Sequence, residues 1–402
     1  MRIGHFSDIH YANETLGEVD KCFSAAVDSA IASGIEIAVI SGDATDHRLD
    51  VHAPAFIALA KQVRRLSDHC PVLMLQGTYS HEPPGTLDIF RLIGGRYEVF
   101  VADRICQVAL LGDQWMASDD WCFNVGTNFQ SSDWRALFTC LPTTNKAAVA
   151  TVVGTIGVAD AVGDNIARLL SGYGVINRQA RLSGIPTIGV SHGTVSGCET
   201  EHGVPMVGLD HEFTTGSLFA AECDAFMLGH IHKHQSWERD GRIIAYAGSI
   251  GRLHYGEEDA KGYLEWELAS DEVTCRQIEM PARRMVHLEF SGLPDMARLE
   301  EAKAAAAGAF VRIRWTVDEE YRNAVDRDAI EAVFAGSAEV KLEPRILPIV
   351  RSRAEGMNRV QSYGQKLDKW CQATETSSNG LHDLLAAIQG NTPEAIAASL
   401  LN

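Results

Sequence analysis

The chain has 402 residues, 46% of them hydrophobic and 22% charged, which fits an ordinary globular protein with room for two or three domains. Its formal charge of −18 argues against casual binding to phosphate backbones, because such a surface repels them unless bound cations, a basic patch or a basic partner reverse the local field. Nine cysteines lie scattered with no C-x-x-C pair, so neither a disulfide framework nor a thiolate zinc site is expected, and a reducing cytoplasm is the natural setting.

The N-terminal "MRIGHFSDIH" has no basic-then-apolar leader and reads directly as a strand over 2–8. An amphipathic helix follows at 17–34 and stops at Gly34. A strand at 35–43, a helix around 53–67 and a strand at 71–77 come next. Continuous β-branched runs alternating with helices imply an α/β fold with a largely parallel, buried sheet. Shorter strands are expected near 97–101 and 105–111, and residues 113–146 are expected to form loops and a short helix. The weakly polar run "KAAVATVVGTIGVADAVGD" is too short and too rich in Gly and Thr to span a bilayer, so no membrane is involved.

From about residue 184 the pattern resumes with "IPTIGVSHG", "CDAFMLGHIH", "RIIAYAGSI" and "KGYLEWEL"; the last two and "VTCRQIEM" read as consecutive antiparallel strands. From about 283 the character changes to a β-α-β-α-β unit. After Pro348 the remainder looks helical. Lys341 to Trp370 carries seven Lys or Arg against three acidic residues.

Open α/β sheets place their ligands at the C-terminal ends of the strands. Here those ends carry Asp8-Ile9-His10, Gly42-Asp43-Ala44-Thr45-Asp46, the loop "GTYSHEPPG" with His81, Ser191-His192-Gly193, and Gly229-His230-Ile231-His232. A lone D-x-H or Gly-Asp is most often a polar strand terminus, but all five in order on one αβ pattern are not chance. Alternate residues of an extended segment point the same way, so D-x-H and H-x-H can each grip one ion or two adjacent ones. Mixed imidazole and carboxylate ligands suit divalent manganese, iron or zinc. Asp43, in the middle of the set, is the natural bridge between two ions, and ions roughly 3.5–4 Å apart can clamp a phosphoryl group for in-line displacement. Phosphoester hydrolysis is the chemistry that this points to.

The order D-x-H, G-D-x-x-D, loop His, S-H-G and G-H-x-H resembles the calcineurin-like metallophosphoesterase superfamily. More narrowly, "SDIHYANET", "SGDATDHRLDVHAP", "GHIHKHQ" and "AYAGSIGRLHYGEEDAKGY" resemble its SbcD branch, the DNA double-strand-break repair nucleases. The likeness runs through motifs over about 1–280 and more loosely through 283–345. It implies a four-layer α-β-β-α sandwich with a small α+β capping domain and a helical C-terminal tail, divided as nuclease domain 1–282, cap 283–347 and tail 348–402. By the same resemblance Asp8, His10, Asp43 and His232 hold the first ion, and His192 and His230 the second with Asp43 shared. His81 sits by the leaving oxygen, and Asp46 orients a ligand or the loop. The ions expected are two divalent metals, manganese foremost.

The family usually writes the loop as G-N-H-D or G-N-H-E, with Asn as a ligand of the second ion. This chain has two extra residues and places Ser80 before His81, so Ser80, Thr78 or water must replace the amide. The resemblance implies a metal-dependent DNA exonuclease or endonuclease acting at ends, partnered by an SMC-like coiled-coil ATPase of the SbcC type. It also implies a homodimer through the helix near 53–67 and the 86–94 segment. The tail at about 349–372, with Met357, Val360, Leu367 and Trp370 on one helical face, is expected to dock on the ATPase. The alternatives are a small-substrate phosphatase or cyclic-nucleotide phosphodiesterase of the same superfamily, and a non-catalytic DNA-end-binding module with an altered metal site.

Overall fold

A computed structural model describes residues 1–93, 95–124, 127, 129, 133–143, 158–200, 213–269, 272–348, 362–393 and 395–396. The chain forms two compact units, the first being Met1–His287 with Ala302–Arg312 and Phe334–Lys341, the second Leu288–Glu301 with Ile313–Val333 and Leu342–Asn402. In chain order the first unit carries strands β1 (Arg2–Phe6), β2 (Ile37–Ile40), β3 (Val72–Leu75), β4 (Val99–Ala102), β5 (Cys106–Leu111), β6 (Gln114–Ala117) and β7 (Trp134–Leu141). They are followed by β8 (Thr187–His192), β9 (Ala225–Gly229), β10 (Gln235–Arg239), β11 (Arg242–Tyr246), β12 (Gly262–Leu268) and β13 (Val273–Glu279).

Two mixed sheets result. One has the order β13-β12-β1-β2-β3-β4, the other β10-β11-β9-β8-β7-β5-β6. Strands β1 to β4 are parallel to one another, as are β7, β8, β9 and β11; the remaining strands pair antiparallel at the flanks. The period of two sorts each central strand between two cores. Ile3, Ile37, Val39, Leu73 and Leu75 meet Val108, Phe138, Val190 and Met227 of the other sheet in one core. Phe6, Ala38, Ile40, Val72 and Met74 face the helices α1 (Leu16–Ser33) and α2 (Pro54–His69) in another. A third core packs Leu170 and Tyr173, of the helix Val158–Leu182, against Phe226 and Leu228. The layers are thus α-β-β-α. Helix α1 ends where Gly34, at φ 72°, donates to the carbonyls of Ala30 and Ile31; helix α2 starts on Pro54, whose missing N–H costs nothing there.

Three expectations need correction. β11 and β12 are not neighbours: β11 is parallel to β9 in the second sheet, while β12 pairs with β1 and β13 in the first. Among the described residues of 113–146 stand two strands, β6 and β7, where loops and a short helix were expected. A buried apolar run such as "WRALFTCL" has no period by which to tell strand from helix. The third is an omission, the 25-residue helix Val158–Leu182. Gly172 and Gly174 obscure its pattern, and they are there for close packing: a methyl at Gly174 would strike the Ala220 carbonyl, and one at Gly172 would press on Trp121.

Downstream, β14 (Met285–Ser291), β15 (Phe310–Asp318) and β16 (Glu339–Leu347) form a three-stranded sheet in that order, with helices Met296–Ala306 and Arg327–Val333 in the connections. In the tail, helices Tyr363–Ala373 and Leu381–Gly390 follow. Residues 349–361, with Met357 and Val360, lie outside the described residues. None of the nine cysteines is in a disulfide. Among the described residues no helix is long and apolar enough to cross a membrane.

Between the two sheets lies His5, fully buried, with Nε2 2.8 Å from Ser41 Oγ and Nδ1 accepting from Trp266 Nε1 at 3.4 Å. Burial, and then the nearby His234, push its pKa down to about 3. An unfolded chain takes up this proton near pH ~6.5, whereas the folded chain refuses it. The stabilisation is therefore complete above that pH and falls as pH drops towards the folded value, by about 1.4 kcal/mol per pH unit. Denaturant titrations should show a slope shallower by about that amount in His5→Gln than in the native chain; an equal slope in both would assign the acid sensitivity elsewhere.

Candidate metal centre

Two strands from each sheet converge. Asp8 and His10 follow β1, Asp43 follows β2, His192 ends β8, and His230 and His232 follow β9. The backbone there is left-handed at four non-glycine positions, Asp8 (φ 48°), His10 (52°), Asp43 (50°) and His230 (101°). Such conformations cost of order 1–3 kcal/mol each and persist only where the surroundings over-determine them. Here they do. The Ile9 and His10 N–H groups both donate to the Asp43 carbonyl, at 2.9 and 3.0 Å. The His230 N–H donates to the Asp8 carboxylate at 3.0 and 3.1 Å, and Ser7 Oγ donates to it at 2.6 Å. Glycines make room: an added methyl at Gly77 would overlap Asp43, and one at Gly42 or Gly229 would overlap His192.

Among the described residues four groups of side chains have ligand atoms within 4.8 Å of one another: His10, Asp46 and His81; His232, His254 and Glu257; and the pair formed by Asp8, His10 and His232 and by Asp43, His192 and His230. Asp43 Oδ2 lies 3.1 Å from His192 Nε2 and 4.0 Å from His10 Nε2, so this carboxylate reaches both groups. His10 Nε2 and His232 Nε2 face each other at 3.1 Å. His10 Nδ1 lies 3.5 Å from Asp46 Oδ1. The His81 ring stands edge-on to His10, with centroids 4.7 Å apart, and its Nδ1 bonds the Asp46 carbonyl.

The loop before His81 is a tight turn in which the Thr78 carbonyl accepts the N–H groups of His81 (2.9 Å) and Glu82 (2.7 Å). The turn absorbs the two extra residues, and Ser80 ends up exposed. Thr78 points inward instead. Its N–H donates to Asp43 Oδ1 at 2.7 Å, and its Oγ1 lies 3.1 Å from Asp43 Oδ2 and 3.2 Å from His192 Nε2. Of the three candidates to replace the expected amide, the structure brings Thr78 to the second group. In calorimetric metal titrations Thr78→Val should weaken one of two binding steps about 10–100-fold, the loss typical of groups that support metal ligands, while Ser80→Ala leaves both steps unchanged. The reverse result would hand the position to Ser80.

The donor chemistry fits divalent cations. His192 Nδ1–H donates to the Ser41 carbonyl at 2.9 Å, which aims its Nε2 at the Asp43 carboxylate. A lone pair facing a carboxylate oxygen at 3.1 Å requires a cation between them, and a proton is the smallest that serves. Burial opposes a charge on His192, yet Asp43 outweighs it and pushes the pKa up to about 10. Asp43, despite its burial, is held far below the usual carboxylate range by His192. Burial and then the His192 charge lower His230 to about 4, leaving a neutral imidazole suited to ligation. Asp46 is lowered to about 2, first by His10, whose Nδ1 faces its carboxylate at 3.5 Å.

No family model matches the chain, and no curated protein does. Among solved structures it is similar to GAP50, the anchor in the inner membrane complex of Plasmodium, at 11% identity and TM-score 0.43, over 69% of this chain and 84% of that one. It is also similar to a zinc complex of Vps29 from Entamoeba histolytica (11% identity, TM-score 0.29, over 69% and 99%). A third is the phosphopantetheinyl hydrolase PptH from Mycobacterium tuberculosis (13%, 0.29, over 62% and 89%).

Two carboxylates escaped the sequence reading. Glu82 is fully buried and accepts the N–H groups of Ala44 and Gly77, each at 2.6 Å, which ties the His81 loop to the Asp43 loop. Burial and then the Asp43 charge raise it to about 7. Glu257, also fully buried, lies 2.7 Å from His232 Nδ1. Glu82 is the acidic residue that follows His81 in the loop motif, but its partners, like that of Glu257, are brought in by the fold, so the sequence does not announce its role.

Proposed function

We propose that this chain is a metal-dependent phosphodiesterase that cuts DNA at ends, the nuclease subunit of a complex with an SMC-like coiled-coil ATPase of the SbcC type. The observation that carries the hydrolytic part is the pair of His/Asp groups reached by one carboxylate, Asp43, with His81 at their edge. Two divalent cations bound there would supply positive charge to the phosphoryl oxygens and lower the pKa of a water that attacks phosphorus. Asp8, His10, Asp43 and His232 would hold one, and Asp43, His192 and His230, with Thr78 alongside, the other. His81, its Nδ1–H anchored on the Asp46 carbonyl, would act from its doubly protonated form, handing the Nε2 proton to the departing oxygen and returning to the neutral ring that keeps Nδ1–H.

The DNA and ATPase assignments are supported by the motif likeness around Ser249, Arg252, Lys261 and Gly262 and by the tail. Tyr363 (65% exposed), Leu384 (55%) and Ile388 (56%) leave apolar surface on the two tail helices. Exposed Ile57, Ile89 and Leu92 support a homodimer through the first unit in the same way. The test is a manganese-dependent assay on linear duplex and single-stranded DNA, with and without the ATPase. Hydrolysis of nucleotides or p-nitrophenyl esters but not DNA would select the small-substrate phosphatase, and metal-independent DNA binding without cleavage the non-catalytic module. Deleting 349–402 should leave a folded, metal-binding chain that no longer co-purifies with the ATPase; undiminished co-purification would remove the tail from the interface.

A further inference from the structure

We infer that Glu257 is the positioning residue of the first ion group, fixing His232 in the tautomer and orientation that ligation requires. The inference rests on the metal-centre reading above. An ionised carboxylate only accepts hydrogen bonds, so the 2.7 Å contact means that His232 Nδ1 carries a proton, which leaves Nε2, directed at the His10 side, as the nitrogen free to offer a lone pair to an ion. Glu257 is well placed to stay ionised: its oxygens also meet the Leu253 N–H at 2.8 Å, His254 Nε2 at 3.3 Å and Lys261 Nζ at 3.4 Å.

The same loop immobilises Glu257 and the His232 backbone together. Lys261 Nζ, itself buried, donates to the His232 carbonyl at 2.9 Å. The Arg252 guanidinium donates to the carbonyls of Glu257 (2.9 Å), Arg283 (2.8 Å), Glu258 (3.3 Å) and Asp259 (2.9 Å), closing the loop around one side chain. Glu257, His232 and His254 could themselves be taken for a cation site. Two features oppose that: Glu257 faces Nδ1 of His232, the nitrogen turned away from His10, and an ammonium stands beside its other oxygen. The carboxylate thus acts on His232, and through it on the ion.

The test uses the full chain titrated with Zn2+ by calorimetry, alongside nitrogen-edited NMR of the histidine rings. Glu257→Gln should weaken one ion-binding step about 10–100-fold and spare the other. His232 should shift from the Nδ1-protonated form to a mixture. Because Glu257→Gln strands the buried Lys261 charge, Glu257→Gln/Lys261→Met removes both charges and should show the same selective deficit in a folded chain. Wild-type affinity at both steps in either variant, or an unchanged His232 tautomer, would overturn the inference. So would loss of the folded circular dichroism spectrum in the double variant, which would mean a purely structural role. A wild-type chain that binds no ion would overturn the metal-centre reading first, and this one with it.

Discussion

Asp43→Asn should leave a folded chain that holds at most one ion and has lost at least about 10³-fold in turnover, the upper range for removing one preorganised electrostatic contact. Asn can still accept the Thr78 N–H bond that Asp43 Oδ1 takes at 2.7 Å, so the loop keeps its shape. It cannot offer a negative oxygen to both groups at once. His192 also loses the carboxylate that raises it to about 10, and a buried imidazole without that partner gives up its proton. Replacing charge by an isosteric amide relieves Glu82 as well, since Asp43 contributes to its elevation to about 7. Elemental analysis after dialysis and thermal unfolding separate metal loss from misfolding. Two ions retained in Asp43→Asn would contradict the shared-ligand reading.

His81→Ala should do the opposite, keeping both ions while turnover falls roughly 10²–10⁴-fold, the usual worth of a positioned proton donor. The loop's fixed points are in its backbone: the His81 carbonyl accepts Thr45 Oγ1 at 3.0 Å and its N–H bonds the Thr78 carbonyl at 2.9 Å. Alanine preserves both. What disappears is the ring edge-on to His10. A substrate whose leaving group needs no proton, such as a p-nitrophenyl ester, should recover much of the loss in the variant. Equal defects on both substrates, or loss of an ion, would make His81 a ligand and not an acid.

How legible all this was depended on whether periodic helices framed the strands. Helices α1 and α2 could be placed because their burial follows the helix repeat, with a stop at Gly34 and a start at Pro54, and β1, β2 and β3, buried with no alternation, because each is a short apolar run between or beside those helices. β7 and the helix Val158–Leu182 could not, one being apolar on both faces and the other broken by packing glycines. β11 was recognisable as a strand, but its partner β9 is chosen by the second sheet, which no local pattern encodes. The D-x-H and H-x-H pairs could be read because an extended segment turns alternate side chains the same way. Ser80 looked like the replacement for the amide because it adjoins His81 in sequence; the turn at Thr78 reverses that proximity in space.

Asp8 and His232 share one group although 224 positions separate them, and the second group joins Asp43 to His192 across the two sheets. Chemically, such ligation is a reversible cross-link, and closing a loop of that length is expensive for a disordered chain but nearly free once the sheets have met. Ions at about 100 times their dissociation constant would then add roughly 2.7 kcal/mol to the folded state for each independent site. The same linkage makes bound ions a gauge of the seam between the sheets: a local opening that separates β1 and β2 from β8 and β9 at their ends breaks both groups, so hydrogen exchange of the amides there should slow as the ion concentration rises.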